Sequence, residues 1–254
     1  MKYLLTVLTQ VLFTLTMYVM GSAFFGAALV PGLALFFKVW AWTGSMEMLP
    51  RLFLLGASLA MGYFLFGFTL IILVGLFRSV LNIRLKEGNH PIFSFEAMKW
   101  AFVSSLYLMI NFTFIDFILL TPFANLLFRL LGAKLGKNVQ FNSRHVYDAT
   151  LIEIGSNTVV GGGAIILGHI VERGLLKLKK VRIGRNVTIG SHSTIMPGCE
   201  IEDGAIIGAS AVLLKDTKVG RREIWFGIPA QVMRRHERPP KDDGPSDPPV
   251  ATGT

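Results

Sequence analysis

The chain has 254 residues, enough for one or two domains, with 52% apolar residues and a formal net charge of +9. Its positive mean hydropathy excludes an ordinary soluble domain, and its single cysteine, Cys199, excludes an intramolecular disulfide. No nucleic-acid motif accompanies the bases, so they are expected to meet anionic lipid headgroups or a phosphorylated ligand and not nucleic acid.

Residues 3–37 carry no charge. The run exceeds the roughly 20 residues of one membrane crossing and is far too long for a cleaved signal peptide. Gly21-Ser22 and Pro31-Gly32 are expected to mark a kink or a tight turn. Lys38, Glu47, Pro50 and Arg51 frame a short polar loop, with Trp40 and Trp42 beside it as at a membrane interface. Residues 52–77 read as a transmembrane helix, and Arg78, Arg84 and Lys86 after it read as cytoplasmic.

A third apolar run comes after His90-Pro91, opens at Lys99-Trp100 and carries Asn111, Asp116 and Pro122. An acid within a membrane run is a functional candidate, although a place at the headgroup level or in a helix contact is the favoured reading of Asp116. Pro122 predicts a break. Residues 123–131 then predict a short amphipathic connector on the membrane, with Arg129 snorkelling. The excess of bases in loop 78–99 puts that loop and the amino terminus inside. A third full crossing would put the second half of the chain outside, so a cytoplasmic second half needs a re-entrant third run or a first run that crosses twice. Residues 1–133 are thus expected to form a transmembrane α-helical part.

Beyond residue 133 the pattern changes. Ile183, Ile189, Ile195, Ile201, Ile207, Leu213 and Val219 fall six apart without a break. A period of six fits neither an amphipathic helix nor an alternating strand, but it fits a parallel β-helix whose stacked coils bury one core. Ile154, Val160 and Ile166 keep the phase, and Leu135 and Phe141 start it, which predicts a β-helix over residues 134–235. Seventeen positions separate Ile166 from Ile183, so residues 168–182, GHIVERGLLKLKKVR, are expected to be extruded as a loop on the binding face. Cys199 occupies a small-residue slot of the repeat and reads as a packed thiol, not a nucleophile. Residues 236–254, rich in Pro, Gly and charge, predict a disordered tail.

The repeat, the His-bearing extrusion and the WFGIPA element at residues 225–230 together resemble the hexapeptide-repeat acyltransferases, over about residues 135–235. A narrower similarity is to the membrane-embedded carboxy-terminal region of ε-poly-lysine synthetase-type nonribosomal peptide synthetases. It rests on His90-Pro91, Thr121-Pro122, FRLLGAKLG at 128–136, GHIVERGLLKL at 168–178 and VRIG at 181–184. The adenylation and carrier domains of such synthetases are not in this sequence, so a stand-alone enzyme is the expectation.

The resemblance implies an all-β left-handed parallel β-helix that assembles as a homotrimer, with its sites between neighbouring subunits. It also implies direct transfer of an acyl group from acyl-CoA (acetyl or longer) to a hydroxyl or amine, without a covalent enzyme intermediate and without a metal. A histidine suits the base that such a transfer needs, since its ordinary pKa is about 6.5. His169 matches the resembling stretch and is the candidate base, with Glu172 three residues on to orient it. A structural His in the loop is the competing reading. His145, Asp148, His192 and Asp116 are candidates on the acceptor side, although a turn or surface role is favoured for His192. Lys215, Lys218, Arg221, Arg222 and Arg234 are candidates for the CoA phosphates, with Gly208 and Ala209 leaving room for the pantetheine arm and Gly227, Pro229 and Ala230 completing the surface. Lys177, Lys179 and Lys180 are candidates for anionic lipid.

A membrane part on such an enzyme implies membrane lipids as partners and a lipid or lipid-linked acceptor, in the bacterial inner membrane. Two other readings stay open: a non-catalytic trimeric scaffold for a channel or transporter, and a peptide-forming or peptide-releasing partner fed by a carrier-protein thioester.

Overall fold

The computed structural model describes residues 2–235; Met1, residues 236–254 and the side chains of residues 2–6 and 234–235 lie outside the described part. The expectation of a disordered tail therefore falls on residues that are not described.

The first apolar run forms a single helix, α1 (Lys2–Trp42), which continues through Gly21 and Pro31. The tight turn that was one alternative at these positions is not formed. Gly32 instead faces Gly62 of the next helix, α2 (Met48–Val80), so closely that a Cβ on it would lie 2.8 Å from the Gly62 carbonyl oxygen. Two glycines thus let two apolar helices touch backbone to backbone. At the turn between them, Thr43 donates to the Val39 carbonyl at 2.8 Å and the Arg51 guanidinium sits 4.8 Å from the Trp40 ring.

A helix that packs on a soluble core hides one apolar stripe. Here Leu12, Val19 and Phe37 of α1 and Phe53 of α2 are all exposed, and burial in α2 is concentrated between Phe66 and Arg78. Among the described residues, α1 and α2 are the two helices long and apolar enough to cross a membrane.

The third apolar run does not make a third such helix. It breaks into α3 (Phe95–Asn111), a 3-10 turn (Ile115–Phe117) and α4 (Pro122–Leu130). Leu120 adopts a left-handed conformation (φ +60°), and Thr121 caps α4 by accepting from the Phe123 N–H at 3.2 Å, with Pro122 in the first turn. The short amphipathic connector expected for this stretch forms as α4, with Phe123 and Leu126 exposed on its outer face. Ala124, Leu127 and Phe128 seal the open end of the first β-coil, the Phe128 ring lying 4.5 Å from that of Phe141. Arg129 does not snorkel; it donates to the Gly136 carbonyl at 2.7 Å. The end of a solenoid needs such a cover because its last coil has no neighbour.

The six-residue period becomes a parallel β-helix of three sheets. One stacks Lys134–Leu135, Ile152–Ile154, Val181–Ile183, Glu200–Ile201 and Lys218–Val219. The second stacks Gln140–Phe141, Val159–Val160, Thr188–Ile189, Ile206–Ile207 and Glu223–Phe226, and ends in the antiparallel strand Gln231–Arg235. The third stacks Ile165–Ile166, Thr194–Ile195 and Val212–Leu213. Every aliphatic of the phase from Ile183 to Val219 is buried, as are Val187, Ser193, Cys199, Ala205 and Ala211 between them. Burial pushes the Cys199 thiol up to about 11, so it is a core group. One hydrophobic core runs from α2 through α4 into the coils.

The hexad count fails at two places. Between Ile166 and Ile183 the chain extrudes a hairpin, His169–Glu172 with Leu175–Leu178, closed by Arg173 and Gly174 at positive φ. The strand Gly88–Pro91, which precedes α3, pairs antiparallel with the outer strand of this hairpin. Between Phe141 and Ile154 there are thirteen positions, one more than two hexads. That extra residue is absorbed by an irregular corner in which Asp148 is left-handed (φ +58°) and a 3-10 turn, Ala149–Leu151, comes next.

Ile195 is fully buried between Ile166 and Leu213 in register. Ile195→Ala is expected to lower unfolding stability by about 2–5 kcal/mol, measured by chemical denaturation in detergent. A loss well under this range would mean that the coils do not depend on the stacked aliphatics.

Candidate functional site

Both breaks in the repeat deliver a side chain to one place. The Asp148 side chain is 1% exposed and accepts three N–H donors. The Trp100 indole of α3 donates to Oδ1 at 2.8 Å, the Gly168 backbone N–H donates to Oδ2 at 3.0 Å, and His169 Nδ1 meets Oδ2 at 2.6 Å. A buried carboxyl group is tolerated only with such partners. Local backbone makes the contact possible: an Asp is among the few residues that adopt the left-handed conformation readily, and Gly168 leaves room for the Asp148 Cβ, which a side chain there would meet at 2.9 Å.

A carboxylate only accepts, so Nδ1 of His169 is the donor in this bond, and the neutral tautomer that the bond selects has its lone pair on Nε2. The Trp100 ring lies 4.7 Å from the imidazole, centroid to centroid, at 54°. The His169 side chain is 24% exposed, so it is fixed on one side and open on the other. This arrangement can take a proton from a nucleophile and return it.

Glu172, expected to orient His169, does not touch it. Its carboxylate is occupied by Lys177 at 2.8 Å and by Lys215. These two ammoniums, Lys177 first, hold the Glu172 carboxyl at about 2. The oriented pair is His169 with Asp148, a residue the sequence placed on the acceptor side. Trp100 was not among the expected residues. The signal available for Asp148 was the thirteen-position gap; nothing in the repeat points to Trp100, which comes from a helix nearly 50 positions earlier.

The other candidates lie elsewhere. His145 Nδ1 is 3.1 Å from the Tyr147 hydroxyl, and burial, then the Arg144 charge, hold its imidazole below the ordinary range. Asp116 accepts from Arg144 at 3.0 Å and is exposed, a surface ion pair. His192 forms an exposed corner of its coil at φ +56°, its ring over Gly163. Lys179 pairs with Asp216 at 2.6 Å and Lys180 with Glu87 at 3.1 Å, so these two, like Lys177, already have carboxylate partners.

On the expected CoA surface, Lys215 is spent on Glu172, while Lys218 is 3.8 Å from Glu200. Arg221 is exposed and Arg222 is left-handed at φ +57°. The space expected beside Gly208 is filled: a Cβ there would lie 2.0 Å from the Phe226 ring. Ala209 is exposed. Gly227 (φ +96°) turns the chain, the Ile228–Pro229 bond is cis, and Ala230 donates to the Val212 carbonyl at 2.8 Å, so the WFGIPA element closes the last coil. Among the described residues, no three His, Cys, Asp or Glu side chains come together as a metal-ligand group.

Residues 180–215 match the family described as bacterial transferase hexapeptide (six repeats). The chain is 32% identical over 144 residues to the putative acetyltransferase YvoF of Bacillus subtilis (strain 168), covering 53% of this chain and 84% of that protein. It is 21% identical over 174 residues to the delta-poly-L-ornithine synthetase of Acinetobacter baumannii (strain AB307-0294), covering 68% of this chain and 13% of the synthetase. The chain thus spans most of the first relative and only a small part of the second. Among solved structures, a hexapeptide-repeat acetyltransferase of Vibrio cholerae O1 biovar eltor in complex with acetyl coenzyme A aligns with a TM-score of 0.47 at 16% identity, over 62% of this chain and 98% of that one. On the strength of the repeat, its parallel coils and the extent of the first relative that it covers, this chain belongs to the hexapeptide-repeat acyltransferases.

Proposed function

We propose that this protein is an integral-membrane acyltransferase that moves an acyl group from acyl-CoA to a hydroxyl or amine of a lipid or lipid-linked acceptor. The observation that carries the reading is the oriented His169–Asp148 pair at the root of the extruded hairpin. His169 Nε2 takes the proton of the acceptor O–H or N–H as that atom attacks the thioester carbonyl. The C–O or C–N bond forms, the tetrahedral centre collapses with cleavage of the C–S bond, and the imidazolium returns the proton to the departing CoA thiolate. Asp148 holds the ring in the tautomer this requires and stabilises the transient imidazolium. Backbone N–H groups at the coil corners supply the oxyanion donor. Membership of the family supports acyl-CoA as donor, a left-handed coil and a homotrimer. The exposed Ile228, Val232 and Met233 of the last coil and terminal strand are apolar surface for subunit contact.

The membrane reading rests on α1 and α2. Two crossings return the chain to the side on which it began, so the amino terminus and the β-helix share a side. The bases Arg84, Lys86 and Lys99 lie on that side, against Lys38 and Arg51 at the far turn. That asymmetry favours a cytoplasmic β-helix, where acyl-CoA is available. The third crossing that would have reversed the placement is not needed.

Purified protein in lipid nanodiscs, given acetyl-, medium- and long-chain acyl-CoA and a bacterial lipid extract, is expected to release CoA thiol in a lipid-dependent way. His169→Ala should lower the rate by about 10²- to 10⁴-fold, the usual contribution of a general base. Full activity in His169→Ala would sink the role of His169 as the base, and no release with any donor would favour the scaffold.

Glu172→Gln is expected to leave thiol release and its pH profile between pH 6 and 8 unchanged. The sign comes from the depressed pKa of this carboxyl: the contribution of its ion pairs is present above the ordinary carboxyl range near 4.5 and is lost only as pH falls toward 2. A shifted profile in this variant would return Glu172 to the catalytic machinery.

A further inference from the structure

Two clefts meet beside the site. The first, of about 870 Å³, lies between the end of α2, the start of α3 and the first coils, and is lined by Arg84, Lys86, Lys99, Lys134 and Lys180 with Glu153. Lys134 pairs with Glu153 at 2.8 Å, Lys180 with Glu87 and Lys99 with Glu96. Among the described residues, Arg84 and Lys86 have no carboxylate partner, so the cleft keeps an excess of positive charge. The second cleft, of about 460 Å³, is apolar and runs between α1, α3 and the hairpin, past Phe93, Ala97, Trp100, Val171 and Leu176. Phe13 and Met98 line both, so the two adjoin at these side chains. Leu8, Leu12 and Leu15 are exposed on the same helix as Phe13, so apolar surface extends along α1 to the level of the groove.

A basic cleft adjoining an apolar one fits a molecule with an anionic head and a hydrocarbon chain. We propose that the paired clefts bind one lipid phosphate, with its phosphate at Arg84 and Lys86 and its chain in the groove against Trp100. The indole that forms the wall of the groove also packs on the His169 ring and bonds Asp148. The bound chain thereby abuts the indole that packs on the reacting imidazole, and the clefts hold an anionic membrane lipid next to the catalytic pair. This inference rests on the acyltransferase reading of His169 and on the membrane reading of α1 and α2. Charge favours it over a neutral lipid: each base near an anionic headgroup is worth about 1 kcal/mol, so two unpaired bases predict a preference of at least about tenfold.

The test reads binding without turnover. Full-length protein with Trp40→Phe, Trp42→Phe and Trp225→Phe retains Trp100 as its tryptophan and is placed in phosphatidylcholine nanodiscs. Chain-brominated phosphatidylglycerol should quench Trp100 at a mole fraction about tenfold lower than chain-brominated phosphatidylcholine does. Arg84→Gln with Lys86→Gln should abolish that preference, and inorganic phosphate should not compete. If the triple variant does not fold, the wild type minus Trp100→Phe gives the same difference signal. Equal quenching by both lipids, or a preference that survives loss of the two bases, would overturn the headgroup site. Competition by inorganic phosphate at the lipid's own concentration would overturn the chain site. Either result with thiol release intact leaves the catalytic reading standing, whereas active His169→Ala with selective quenching overturns His169 as the base and keeps the lipid site.

Discussion

Asp148 is the joint of this molecule. It belongs to the first coil, yet its two oxygens bond the indole of a helix, the backbone at the root of the extruded hairpin and the imidazole at its start. A buried carboxyl is costly when unpartnered, and each hydrogen bond to a charged group contributes about 1.5–3 kcal/mol. Three donors from two segments, α3 and the root of the hairpin, therefore fix the position of both against the coil that carries Asp148. Leu176 and Leu178 of the hairpin pack with Leu85, Ala97, Val103 and Leu151 around the same joint. The polar contact sets the geometry and the apolar cluster holds it.

The helical half then has a purpose beyond attachment. α3 is too short and too covered to be read as a crossing helix, but it carries Trp100 to the imidazole and forms one wall of each cleft. α4 caps the first coil and lets the core continue from α2 into the solenoid. The apolar cleft between α1, α3 and the hairpin thus shares the Trp100 indole with the proton-transfer site.

Much of this was legible in the sequence. The uninterrupted phase from Ile183 to Val219 reports inward-facing positions directly, because coil geometry repeats with the same period as the apolar residues. The extrusion was visible as a failed count, and His169 with it. The orienting carboxylate was misassigned to Glu172 because proximity in sequence stood in for proximity in space: Glu172 is on the same strand, three residues along, where it meets lysines. Asp148 lies 21 positions before His169, one coil earlier, and becomes its neighbour only through stacking. Trp100 and the caps of α4 depend on tertiary packing between a helix and a solenoid, which leaves no periodic trace. The break at Pro122 was legible in the third apolar run, whereas the left-handed Leu120 before it was not.

The account stands on His169 and Asp148 acting as one unit, and a double-mutant cycle on acyl transfer in nanodiscs tests that most directly. With rates for His169→Ala, Asp148→Asn and the double variant, the account predicts strong non-additivity: once the imidazole is gone, Asp148→Asn costs nothing further, so the double variant keeps the residual rate of His169→Ala. Losses that multiply, each variant acting in full on the background of the other, would show that Asp148 does not act on transfer through the imidazole, and would contradict the proposed mechanism.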